Sequence, residues 1–248
     1  MTRRIAALLI SALGIRAQPP TFEVSTVKPA APDSQGMTFR FAGPRRFTAN
    51  NHTVKECIGF AYNLTPALMP GGPAWIETDR FDIVGEIPGD TQPPRAQVLL
   101  MFQALLADRF QLKFHREQKE MTVYNLVIGK NGLKIKESTT GPPEGSLLIG
   151  FAPPRGRNLP ARNASMEAFA SLLQRVVVGR PVIDKTSLTR RYDFDLEWGI
   201  DGAPPPAGEL DTQPDITVAI QKLGLKLESA KGMVDTLVID RIEKPDAN

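Results

Sequence analysis

Three carboxylates, Asp193, Asp195 and Glu197, stand two residues apart between Tyr192 and Trp198. A period of two places them on one face of a strand. There they could hold a calcium ion or move a proton to and from a substrate. The same alternation sends Tyr192, Phe194, Leu196 and Trp198 to the other face as core, so the favoured reading is a solvated acidic surface. Asp79 and Asp82 are read the same way. Asp184-Lys185-Thr186 closes an apolar run, where an aspartate accepts backbone N–H groups in a turn. His52 and His115 are the only histidines and Cys57 the only cysteine. That is too small and too scattered a set of nitrogen and sulfur ligands for a zinc site. Both histidines are expected at the surface, and Cys57, on an apolar helix stripe, is expected to be a buried, inert thiol. No nucleophile elbow, phosphate loop or dinucleotide fingerprint is present. The sequence therefore assigns no catalytic residue, no metal site and no cofactor, and leaves binding residues open.

The elements that carry these residues recur. Asn51-His52-Thr53-Val54 returns as Asn163-Ala164-Ser165-Met166, and Arg80-Phe81-Asp82-Ile83 as Arg191-Tyr192-Asp193-Phe194. Leu112-Lys113-Phe114 returns as Leu225-Lys226-Leu227, and Val123 to Ile128 as Val234 to Ile239. Offsets of 112, 111, 113 and 111 residues predict two copies of one unit, 47–130 and 159–243. Asn51-His52-Thr53, Asn63-Leu64-Thr65 and Asn163-Ala164-Ser165 also match a glycosylation pattern, but the first and third explain themselves as helix starts.

A strand is expected over 22–27, and a hairpin over 37–49 turned at Gly43-Pro44. Thr53 to Glu56 has the capping-box form, opening a helix that ends by Asn63. Pro70-Gly71-Gly72-Pro73 demands a tight turn, after which Trp75 plugs a core edge and a strand follows over 80–87. Pro93-Pro94 start a helix through Arg109, with Val98, Leu99, Phe102, Leu105 and Leu106 on one face. Residues 111–117 and 121–130 are expected to form a hairpin. The Gly/Pro/Ser/Thr-rich stretch 137–158 reads as a linker. The second unit then repeats the order: a helix from 166 to about 177, strands over 181–184 and 192–198, a helix over about 215–223, and a hairpin of 225–229 with 234–242. The expected fold class is α+β, two small strand-helix-strand-helix-hairpin modules with helices on small mixed sheets. Their bounds are 18–136 and 159–243.

Residues 1–17 read as a secretory signal peptide, with Arg3-Arg4, an apolar run over 5–15 and a cleavage point at Ala17-Gln18. That run is too short for a spanning helix of about 20 residues, and no later run is long enough. Removing this segment takes away Arg3, Arg4 and Arg16, so the formal balance falls from 30 basic against 27 acidic residues to 27 against 27. The alkaline balance thus belongs to export and argues against nucleic acid as a partner. A single cysteine excludes an intrachain disulfide.

Gly71-Gly72-Pro73-Ala74-Trp75 with Arg80-Phe81-Asp82-Ile83, Ala104 to Phe110, and Pro181 to Thr186 resemble a large family of uncharacterised secreted proteins of soil bacteria, carried as a domain of unknown function. The likeness covers the whole mature chain. Ser187 and Arg190 stand where that family is expected to have glycine. The resemblance implies no activity, although some relatives look associated with membrane-bound zinc peptidases of the β-lactam-sensor type. Asn163-Ala164-Ser165, Gly179 to Asp184 and Leu223 to Leu227 are similar to the short N-terminal domain of secretins and TonB-dependent receptors, a periplasmic docking module. These likenesses imply a periplasmic or secreted binding or adaptor protein that meets another envelope or secreted protein through sheet edges or a groove. The alternative is a polymer hydrolase using the carboxylates near Asp193.

Overall fold

The structure is a computed structural model that describes residues 19–141, 147, 150–152, 156–176, 180–199 and 214–245. The expected signal peptide lies outside the described residues. Four strands, β1 (Val24–Pro29), β2 (Thr38–Phe41), β3 (Arg46–Thr53) and β4 (Arg80–Glu86), form an antiparallel sheet in the order β1-β4-β3-β2. Helix α1 (Val54–Tyr62) leaves β3 through the expected capping box, with Thr53 and Glu56 each satisfying the other's backbone N–H. It ends where Asn63 turns left-handed. A short helix, α2 (Trp75–Thr78), precedes β4, and α3 (Arg95–Arg109) follows it. Helix α3 buries Val98, Met101, Phe102, Leu105 and Leu106, so Met101, rather than the expected Leu99, completes its apolar face.

The second half is built alike. Strand β5 (Lys113–Ile128) is followed by β6 (Lys136–Glu137), β7 (Gly150–Ala152), β8 (Gly156–Ser165), α4 (Met166–Val176), β9 (Val182–Asp184), β10 (Arg191–Gly199), α5 (Ile216–Lys222) and β11 (Leu225–Arg241). The order β6-β10-β8-β7 mirrors that of the first sheet, position for position. The stretch 137–158 is therefore not simply a linker. Residue 137 ends the edge strand β6, residues 150–152 form the opposite edge, β7, and residues 156–158 begin the inner strand β8.

The two expected hairpins do not form. Strands β5 and β11 each run straight through the expected turns and pair with one another, antiparallel, from Leu225↔Ile128 to Arg241↔Lys113. Each half thus finishes its core with an arm from the other. Leu237, Ile239 and Ile242 are buried with the first half, and Leu126 is buried with the second. Under the centre of the ribbon a small third cluster joins Leu68, Val123 and Val234. Gly71 and Gly72, at φ +87° and +83°, bring the chain against β11, and Ile239 N–H donates to the Pro70 carbonyl at 3.0 Å. A side chain at Gly71 would meet the Ile239 carbonyl at 2.9 Å, so the close approach needs glycine.

Candidate functional site

The acidic strand is built for structure. Asn163 sits left-handed at φ +49° beside a bulge where β8 meets β10. Its N–H donates to Asp193 at 2.7 Å, and its carbonyl accepts from Arg191 at 2.8 Å. In the first half Asn51, at φ +57°, is gripped the same way, by Asp82 at 2.8 Å and Arg80 at 2.7 Å. The repeated Arg-x-Asp is a clamp on one left-handed residue, the aspartate taking its N–H and the arginine its C=O. The glycosylation-like Asn-x-Thr/Ser at each place is that bulge residue followed two positions later by a helix cap.

Two of the three carboxylates, Asp193 and Asp195, are thereby engaged by protein groups. The Asn163 N–H, foremost, holds the Asp193 carboxyl below its ordinary pKa, the wrong direction for a general acid at neutral pH. Asp195 pairs with Arg162 at 2.9 Å, and Glu197 points outward as expected from the strand period. Asp193 and Asp195 do line a shallow hollow of about 470 Å³, but Lys134, Lys136, Arg162 and Lys222 share it. Asp79 pairs with Lys244 at 2.7 Å. Asp184 accepts from the Thr186 N–H at 2.9 Å and hydroxyl at 2.7 Å, the turn expected of it.

Cys57 is fully buried, and burial pushes its thiol far above the ordinary range. His115 is exposed on the ribbon, 2.8 Å from Asp240. His52 is not a surface residue as expected: it is 7% exposed. The bulge at Asn51 shifts the inside–outside phase of β3 and turns His52 inward. There Phe39 covers it, ring centroids 3.8 Å apart and planes at 17°. Burial lowers the His52 pKa against the pull of Glu56, whose carboxylate lies 3.2 Å from Nδ1.

Phe39 and Phe60 continue this stack at 4.1 Å, and the Arg95 guanidinium lies 5.1 Å from the centre of the Phe60 ring. The column forms one wall of a cleft of about 360 Å³ between α1, the 66–68 turn, the start of α3 and the end of α4. Met37, Leu64, Pro66 and Met69 make it largely apolar, and five charged or titratable side chains reach it. Three of these are paired with another titratable group. Lys55 meets Glu77 at 2.6 Å, while Glu56 serves His52, the Thr53 N–H and Arg80. The remaining two are Arg95, from the first half, and Arg175, from the second. Arg175 donates to the Asn63 amide oxygen. Neither guanidinium has a carboxylate within ion-pair distance among the described residues. Both are pulled below the ordinary arginine range by desolvation, and the positive charge of Arg95 lowers Arg175 further. By surface area both side chains remain exposed, so ligands can reach them. Nothing in the sequence spacing joins residues 60, 95 and 175, which is why the cleft escaped the sequence reading.

Among the described residues no group of three or more His, Cys, Asp or Glu side chains could hold a metal, and no helix is long and apolar enough to cross a membrane. A family model described as protein of unknown function (DUF3738) matches residues 55–242, a span that takes in α1, α3 and α4. No curated protein and no solved structure matches the chain.

Proposed function

We propose that this chain, which belongs to the family described as protein of unknown function (DUF3738), is an exported, non-catalytic binding protein that takes its ligand in the cleft between its two halves. One observation carries the reading: two guanidiniums reach an apolar cleft, and among the described residues neither has a carboxylate within ion-pair distance, Glu56 being held by His52, Thr53 and Arg80. Like charges in a partly desolvated site destabilise one another, and a ligand that relieves them gains affinity from the relief. Groove recognition is favoured over sheet-edge recognition because the cleft alone gathers two guanidiniums on an apolar wall. The outer strands of the four-stranded sheets, β1, β2, β6 and β7, have six, four, two and three residues, and β11 offers the one long edge, of 17 residues, among the described strands. The hydrolase alternative loses support because Asp193 and Asp195 are already engaged, one by a backbone N–H and one by Arg162. Export rests on the leader-like residues 1–17 and on the resemblance to secreted soil-bacterial proteins. The likeness of the second half to the periplasmic docking module of secretins supports an envelope role.

The test is retention of material from an envelope extract by immobilised protein. Wild type should retain a component that Arg95→Glu and Arg175→Glu do not, with both variants folded by circular dichroism. Equal retention by all three proteins would place recognition elsewhere.

A further inference from the structure

We infer that the cleft ligand is a small organic acid, an apolar body ending in one carboxylate that bridges Arg95 and Arg175. This rests on the cleft being the binding site. The volume of about 360 Å³ lies at the small end of ligand pockets, which run from about 300 to 1,000 Å³. A macromolecular segment would need a longer groove.

The polarity is divided. Leu64, Pro66 and Met69 line the cleft beside Met37, which is 53% exposed. An unbranched thioether side chain adapts to varied apolar shapes. Against this wall stand two guanidiniums without a carboxylate partner, Lys55 being paired with Glu77, and no free acid among the described lining residues, since Glu56 is held by His52, Thr53 and Arg80. A cationic ligand would meet repulsion and a neutral one would leave the guanidiniums uncompensated. A small dianion such as a phosphate would pair with the two guanidiniums but leave the apolar wall unfilled. A carboxylate matches the planar guanidinium fork and gives the shorter, stronger charge-assisted hydrogen bonds. Because Arg175 comes from α4 and Arg95 from α3, the bound acid would also tie the two halves together.

The experiment is isothermal titration of the full chain with octanoate and 4-phenylbutyrate, each beside its neutral primary amide, and with inorganic phosphate. The carboxylates should bind and the amides should bind at least about tenfold more weakly, the scale of a lost hydrogen bond to a charged group. Arg95→Gln and Arg175→Gln should each cost a similar factor, and affinity should fall as salt screens the pair. Equal binding of acids and amides, or acids binding both variants as tightly as wild type, would overturn the inference. Phosphate binding with no binding of either acid would overturn it too. If no acid binds while the charge-reversed variants still lose the envelope component, the ligand class is wrong and the cleft remains the binding site.

Discussion

Crossed arms make a prediction that runs against sequence proximity. Leu237 and Leu126 are both fully buried, yet Leu237 lies in the core of the first half and Leu126 in that of the second. Truncating either to alanine should cost about 2–5 kcal/mol from lost burial and the cavity left behind. That is a large part of the roughly 5–15 kcal/mol that holds a domain together. Leu237→Ala should therefore raise native-state hydrogen exchange in α1 and α3, more than a hundred residues away, and spare α4 and α5. Leu126→Ala should do the reverse. Removing 231–248 takes Leu237, Ile239 and Ile242 from the first core. At about 1.5–3 kcal/mol for each buried side chain, that loss should unfold the first half while α4 and α5 keep protected amides. Exchange rising first in α4 and α5 for Leu237→Ala would mean that each half closes its own hairpin, and the arm exchange would be wrong.

The Asp193 clamp predicts a pH dependence of known sign. Its folded pKa lies below the ordinary value of 3.8, so its contribution is fully present above that value and is lost as pH falls through the lower folded value. Melting temperature between pH 2 and 6 should fall less steeply with acid in Asp193→Asn than in wild type, and parallel curves would remove the clamp from the account. Ser187 is exposed and sits left-handed at φ +60°, where an L residue is strained by about 1–2 kcal/mol and glycine is not. Glycine's larger unfolded-state freedom offsets about 0.5–1 kcal/mol, so Ser187→Gly should gain up to about 1 kcal/mol in denaturant melts; a loss of stability would show that the turn depends on the serine side chain.

What could be read from the sequence was whatever local chemistry decides. The capping box at Thr53, the glycine turn at 71–72 and the alternation in Tyr192 to Trp198 each act within a few residues, and each stands where expected. The glycine expected at Ser187 likewise corresponds to a left-handed backbone. The arms failed because a strand that turns back and a strand that runs on share one period of two. A usable signal lay in Gln118-Lys119-Glu120, which offers none of the Gly, Asn or Asp that a tight hairpin turn requires. His52 was misplaced because one bulge residue, Asn51, reverses the face of everything after it in β3. The carboxylates lie on the outer face as expected, but the role of Asp193 there was not legible. Counting side chains on a face says nothing about a backbone N–H arriving from the neighbouring strand, and Asp82 and Asp193 exist for that bond.

Continuity of the arms also determines where the cleft can form. Arg175 lies in the last turn of α4, α4 lies against β9, and β9 pairs in parallel with β5 through Tyr124↔Val182 and Leu126↔Asp184. The same β5 starts in the first half directly after α3, the helix that carries Arg95. One strand thus links the elements that carry the two guanidiniums, and the third cluster packs beneath the ribbon, where it is expected to stiffen that link. Val123 is fully exposed to neither solvent nor cleft: it is 0% exposed and packs with Leu68 and Val234. Val123→Ala should cost about 2 kcal/mol through lost burial and a small cavity, leaving both main cores intact. Spin labels on the exposed positions Gln97 and Glu167 would report the distance between the first turns of α3 and α4. In wild type that distribution should be narrow. In Val123→Ala it should broaden, and cleft affinity should fall although no lining residue has changed. An unchanged distribution in a protein destabilised by the expected amount would show that the ribbon centre adds stability without positioning the arginines.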